Sequence, residues 1–283
     1  MALSIHTNYT ALLTQTTLNK TNTSLSTSQQ RLSTGLRINS AADDAAGLQI
    51  ATRLQAQTRG MGVAIRNISD STSMLQTAEG AFNEVTDIVQ RMKDLATQAA
   101  NGTNSADDLT ALNAEYKELN AEITNILGNT KYAGEALLTG GKLEGQVTFQ
   151  IGSSEDETLE LDLQTQMEAI DVTDNTTALG SGAAIDLTVA GAASTAIGVL
   201  ETALNDIGTI RAALGANINR LAHTSNNLAN MKDNTEMATG NIMDADFAKE
   251  SANMTKKSML MQSGISMLKQ AGQMPNIVMS LLG

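Results

Sequence analysis

The sequence predicts a mainly α protein: an elongated antiparallel helical, coiled-coil rod with paired terminal helices and a small central β-hairpin region. Three observations predict it. Leu18, Leu25 and Leu32 near the start stand seven residues apart, as do Phe247, Met254, Met261 and Leu268 near the end. A seven-residue apolar repeat is the seam of a coiled coil. Between these ends run longer ladders with alternating three- and four-residue steps, and only the middle of the chain switches to the two-residue period of strands. Terminal segments fray unless something ties them down, so apolar stripes at both ends point to ends that pair and then assemble.

Composition narrows the function. The chain of 283 residues carries a net charge of −12 and a pI near 4.6, which disfavours nucleic acid and anionic membrane surfaces as partners. It has no Cys, so disulfide frameworks, thiolate zinc sites and thiol catalysis are excluded. Its single proline is Pro275, which leaves the rest of the chain free to form long helices. No apolar run approaches the ~20 residues of a membrane span. Met1 to Asn19 lacks the basic start of a cleavable signal, and Thr, Gln and Asn interrupt its apolar residues. A cytosolic protein and one exported without a cleaved signal both fit.

The elements follow in order. The longest ladder is Ile68, Ser71, Leu75, Ala78, Phe82, Val85, Val89, Met92, Ala96, Ala99, ending at Asn101-Gly102, a helix stop. Thirty-odd residues at ~1.5 Å rise predict a helix of roughly 50 Å. A second ladder runs Leu109, Leu112, Tyr116, Leu119, Ile123, Ile126, opened by Ser105 as cap with Asp107 and Asp108 in the first turn. The short link makes it an antiparallel neighbour of the first. Val147, Phe149, Ile151 and Leu159, Leu161, Leu163 alternate around a turn at Ser153 to Asp156, a β-hairpin pattern. Thr173 to Ser194 is small and polar, with one short strand candidate at Ile185 to Val189. A third helical ladder runs from Leu200 to Leu228 with polar seam residues Arg211 and Ser225, and a polar break at Thr239-Gly240 precedes the last. Three discontinuous regions result: residues 1–40 with 241–283 as paired ends, 41–138 with 195–240 as a helical rod layer, and 139–194 as hairpin and exposed segment.

No constellation supports an enzyme. His6 and His223 have no ligand spacing around them. Glu155-Asp156-Glu157 sits between strands and reads as a solvated turn rather than a cation site. Gly60-Met61-Gly62 and Gly180-Ser181-Gly182 fall short of a phosphate-binding GxGxxG. Met254, Met259, Met261, Met267, Met274 and Met279 cluster in the last helix; as adaptable side chains they suit either a core or an irregular interface.

One segment is far more specific. Arg31-Leu32-Ser33-Thr34-Gly35-Leu36-Arg37-Ile38-Asn39-Ser40-Ala41-Ala42-Asp43-Asp44-Ala45-Ala46-Gly47-Leu48-Gln49-Ile50-Ala51 closely resembles the amino-terminal signature of bacterial flagellins. Asp246-Phe247-Ala248-Lys249-Glu250-Ser251-Ala252-Asn253-Met254, followed by Met274-Pro275 and Ser280-Leu281-Leu282, resembles the carboxyl-terminal pattern. Gln90 to Ser105 and the hairpin also match in kind and order. The resemblance spans all but roughly Thr173 to Ser194, where the insert is too short for a large outer domain, and the Met-rich last helix with Lys249, Lys257 and Lys269 departs from the pattern.

The resemblance implies a subunit exported unfolded through the flagellar secretion channel and polymerised into an extracellular helical tube used for motility. Leu18, Leu25, Leu32, Phe247, Met254, Met261 and Leu268 become polymer-core residues. It implies a flagellar export chaperone, cap and junction proteins as partners, and an animal innate immune receptor facing Arg91, Leu95 and Glu115. No cofactor or metal is implied. Exposure of the insert makes Thr173, Thr176, Thr177, Ser181 and Ser194 candidate O-glycosylation sites, although most exposed hydroxyls go unmodified. Two alternatives compete: a minor flagellar junction protein with the same paired ends, and a coiled-coil signalling fragment of chemoreceptor type. The intact terminal signatures favour a filament subunit over the first, and the central hairpin argues against the second.

Overall fold

The computed structural model describes residues 7–170 and 185–282, with side chains to Gln273. His6, Thr173, Thr176, Thr177, Ser181 and the Gly180-Ser181-Gly182 run lie outside the described residues. Six helices are described: α1 (Tyr9–Thr34), α2 (Ala45–Ala99), α3 (Ala106–Asn129), α4 (Gln164–Ala169), α5 (Ala192–Met243) and α6 (Phe247–Leu282). The strands are β1 (Lys131–Tyr132), β2 (Glu135–Ala136), β3 (Val147–Gln150) and β4 (Thr158–Leu161). The chain divides into two compact units. One comprises residues 1–58 with 233–283, the other residues 59–232.

The continuous unit, 59–232, owns the core. Along α2 the predicted ladder is buried from Ile68 to Ala99, with Leu75, Ala78, Phe82, Val85, Val89 and Ala96 fully enclosed. Tyr116, Ile123 and Leu127 of α3 and Leu200, Ala203, Ile207, Ile210, Leu214 and Leu221 of α5 join them. These residues recur at three- and four-residue steps, so each helix turns one stripe inward. The 55 residues of α2 make a helix roughly 80 Å long at ~1.5 Å per residue, longer than the ladder alone indicates. Its first two turns expose most of their residues, which an apolar-period reading does not register. Ser105 caps α3 as expected, and with Asp108 it forms a reciprocal capping box.

The expected hairpin forms. Phe149 pairs with Leu159 and Val147 with Leu161, and Phe149, Leu159, Leu161 and Leu163 bury one face against the helices. Gln150 closes the turn by donating from Nε2 to the carbonyls of Gly152, Ser154 and Glu157. A second, shorter pair, β1 with β2, turns on Ala133-Gly134, both at positive φ (52° and 89°). That is the signature of the primed two-residue hairpin turn.

Two expectations are corrected. Ile185 to Val189 is not a strand; it runs into a turn. Asp186 Oδ1 accepts from the Thr188 amide and hydroxyl and from Asn113 Nδ2, while Asn113 Oδ1 accepts from the Leu187 amide. An aspartate that bonds its own backbone two residues on makes a turn, and no neighbouring strand is present for this segment to pair with among the described residues. Thr239-Gly240 does not end α5 either. The helix continues to Met243 because the Asp244 amide still bonds the Gly240 carbonyl at 2.8 Å.

The polar seam residue Arg211 has a partner. Its Nε and Nη2 lie 3.0 and 2.9 Å from Glu79 Oε1 on α2, and Nη1 reaches Thr86 Oγ1. A half-buried charge pair of this kind fixes one register between two helices.

Candidate functional site

The candidate site is the unit that joins the chain ends. Here α1 and α6 run antiparallel, which four contacts fix from one extremity to the other: Asn8 meets Ala271, Leu18 meets Gly264, Ser24 and Ser28 meet Lys257, and Leu36 pairs with Asp244.

Each contact has a chemical reason. Pro275 lies within α6 and has no N–H to give the carbonyl four residues earlier. That carbonyl belongs to Ala271, and Asn8 Nδ2 donates to it at 2.7 Å. The same side chain caps α1, its Oδ1 accepting from the Ala11 amide at 3.0 Å. Near the middle, a Cβ on Gly264 would meet Leu18 Cδ1 at 3.1 Å, so the glycine lets the two backbones approach. Ser28 is fully buried, and Lys257 Nζ donates to its hydroxyl at 2.9 Å and to the Ser24 carbonyl at 3.1 Å. Burying that hydroxyl without a partner would be costly.

The terminal signature forms the closing corner. Gly35 ends α1 in the left-handed region (φ 73°), its amide bonded to the Arg31 carbonyl. Gly35 O then accepts from the Ala245 amide, while the Arg37 amide and Nη2 donate to the carbonyls of Met243 and Ile242. Asp43 Oδ2 accepts from the amides of Asn39 and Ser40 and the Ser40 hydroxyl. These donors, the Asn39 amide first, hold the Asp43 carboxyl below its usual 3.8. Asp44 Oδ1 accepts from Gly47 N at 2.9 Å and so caps α2. A Cβ on Gly47 would lie 2.5 Å from that carboxylate and 2.8 Å from Ile38 Cδ1. The Asp43-Asp44…Gly47 spacing is therefore a turn followed by a helix start.

The predicted ladder is what α1 and α6 bring together. Leu18, Leu25 and Leu32, with Met254, Met261 and Leu268, are half-buried at this seam, whereas Phe247 is 58% exposed. Sequence reasoning missed the outer face. Tyr9, Leu12, Leu13, Met259, Leu260 and Met267 are each more than half exposed. Leu13, Leu18, Leu260 and Met267 line an open groove of about 270 Å³ between the helices. The seven-residue repeat marks the inner seam and is blind to a second stripe. Of its hydrophobic residues, this unit buries among the described ones only Ile38, Ala51, Met243 and Ala271.

The other site residues fall in the core-bearing unit. Arg91 Nε and Nη2 both donate to Glu115 Oε1, at 2.9 and 2.6 Å, and both side chains are about half exposed. Leu95 is 2% exposed and packs in the core, because it falls on the inward stripe of α2. Ser194 is exposed in the first turn of α5. Among the described residues no group of three or more His, Cys, Asp or Glu is placed to hold a metal ion, and no helix is long and apolar enough to cross a membrane.

Chain ends zipped into an antiparallel pair, with a small core and an uncovered apolar face, define a class: the helical subunit of a self-assembling polymer. Family models for the bacterial flagellin N-terminal helical region and C-terminal helical region match residues 5–142 and 197–282. Flagellin A of Vibrio anguillarum is 37% identical over 380 aligned positions that cover all of both chains. Polar flagellin C of Vibrio parahaemolyticus serotype O3:K6 is 34% identical over 385 positions, again covering both entirely. The solved structure of a putative flagellar hook-associated protein from Vibrio parahaemolyticus has a TM-score of 0.61, with 14% identity, across 71% of this chain and 100% of that one; this likeness is one of fold alone. The chain belongs to the bacterial flagellin family, the structural subunits of the flagellar filament. The alignment with flagellin A is about a hundred positions longer than this chain, so those relatives carry sequence that it lacks.

Proposed function

We propose that the subunit travels unfolded through the flagellar secretion channel and joins an extracellular filament through its paired ends. One observation carries this reading: the α1/α6 unit buries few hydrophobic side chains and leaves a row of large ones exposed. Apolar area gains about 25 cal/mol per Å² when it leaves water, and a non-closing contact between copies of one chain generates a helical polymer. Leu18, Leu25, Leu32, Met254, Met261 and Leu268 hold the pair together, while Phe247 and the outer face around Leu13 and Leu260 meet neighbouring subunits. Residues 1–40 with 241–283 then form the filament's inner layer, 41–138 with 195–240 the next, and 139–194 the outermost part.

The test is a Leu13→Asp, Leu260→Asp variant. Its 59–232 unit should melt as in the wild type, while polymer recovered by sedimentation and seen by electron microscopy falls at least tenfold. Normal filaments from this variant would refute the reading.

The export chaperone, cap and junction proteins enter as partners through the family. The same holds for an innate immune receptor, for which the accessible Arg91 and Glu115 are the surface. Arg91→Ala should weaken receptor signalling, and undiminished signalling would remove that surface. Ser194, with Thr173, Thr176, Thr177 and Ser181, remains the set on which O-glycosylation is to be sought by intact-mass measurement of native filaments.

A further inference from the structure

Methionine is not distributed evenly between burial classes. In the 59–232 unit Met61, Met74, Met92 and Met167 are buried, at 5% exposure or less, and Met231 at its end is 38% exposed. In the unit of the chain ends Met237, Met259 and Met267 are 62%, 60% and 55% exposed. Met259 and Met267 stand on the outer face of α6, and Met267 lines the groove beside Leu13 and Leu260. The chain has no Cys, so no thiol competes for an oxidant. Exposed thioethers are then its most readily oxidised side chains, and two of them lie on the face that must become apolar contact.

We propose that Met259 and Met267 form an oxidation site at which a peroxide-class oxidant switches off assembly. This rests on the reading of the α1/α6 outer face as the polymer contact. The thioether sulfur donates an electron pair to one peroxide oxygen, the O–O bond breaks, and sulfoxide and water result. Sulfoxide turns a flexible apolar side chain into a polar one, and methionine sulfoxide reductase reverses it with a dithiol, which becomes a disulfide. Burial of an unpartnered polar group at the contact is unfavourable, so the oxidised subunit is selected against at the step of joining. The buried methionines of the other unit are shielded, so its fold persists.

The experiment treats dilute monomer with hydrogen peroxide until peptide mass spectrometry finds Met259 and Met267 as sulfoxides and Met61, Met74 and Met92 intact. The concentration needed for polymerisation should rise at least fivefold, and reductase with dithiothreitol should restore it. In a Met259→Leu, Met267→Leu variant, which still carries the exposed Met231 and Met237, the same treatment should move the concentration needed for polymerisation less than twofold from that of the untreated variant. Unchanged assembly of the oxidised wild type, or equal inhibition of the Leu variant, would overturn the oxidation site while leaving the face intact. Normal assembly of Leu13→Asp, Leu260→Asp in the same series would overturn the face itself, and the proposal with it.

Discussion

Asn8 serves two helices with one side chain: its oxygen caps α1 and its amide nitrogen satisfies the Ala271 carbonyl that Pro275 leaves open. Asn8→Ala removes both. Loss of an N-cap costs about 0.5–2 kcal/mol, and an orphaned carbonyl adds to it. The variant is expected to loosen the α1/α6 pair within the filament, read there as faster amide exchange near Ala11 and Ala271, with the melting of the 59–232 unit unmoved. Asp43 makes a pH statement. Its carboxyl is held below 3.8 by the Asn39 and Ser40 amides, so the turn's support is complete above the unfolded value and is lost as pH falls through the lower folded one. A carboxyl titration by NMR should place its midpoint under 3.8; a midpoint above that would remove these bonds from the account. Tyr116 carries the opposite sign. Burial pushes its phenol from 10.0 up to about 12, so the core is unaffected below pH 10 and loses stability as pH rises from 10 towards 12. Phenolate absorbance should show Tyr116 ionising well above pH 10, towards 12.

At the scale of elements, α1 is the least self-sufficient helix. Thr14, Thr16, Thr17, Thr21, Thr23, Thr27 and Thr34 each bond the carbonyl four residues back, and threonine is a weak helix former. A synthetic peptide of residues 7–36 should therefore be largely unstructured by circular dichroism. In contrast, Phe82→Ala removes a fully enclosed side chain of α2 and should lower the stability of the 59–232 unit by about 3–5 kcal/mol in denaturant unfolding. The same contrast explains what the sequence made legible. The ladders from Ile68 and Leu200, the Ser105 cap and the Val147–Leu163 hairpin were readable because period and capping chemistry are local. Ile185 to Val189 was not, because Asn113 on a distant helix holds Asp186 in its turn. The polar break at Thr239-Gly240 does not end α5, because the Asp244 amide still bonds the Gly240 carbonyl. Leu95 matched a surface contact by position in a pattern, whereas its place on the inward stripe of α2 decides its burial. The site was half legible: the heptads gave the seam, and the outer face of Leu13, Leu260 and Met267 emerged only once the seam was closed.

For the whole molecule, the contrast between its two units governs behaviour. One unit holds a large continuous core, while the other, among its described residues, holds four buried hydrophobic ones and a row of uncovered ones. Marginal stability follows from how little apolar surface a fold buries, so on the proposed reading the ends gain most of theirs from neighbouring subunits. The most direct measurement is hydrogen exchange on dilute monomer and on assembled filament, followed at Leu18 to Leu32 and Met254 to Leu268. These amides should exchange within seconds in the monomer and become protected at least a hundredfold in the filament, while Phe82 to Ala96 stay protected in both. Strong protection of Leu18 to Leu32 in dilute monomer would show that the ends are stable alone, and would contradict the claim that assembly completes them.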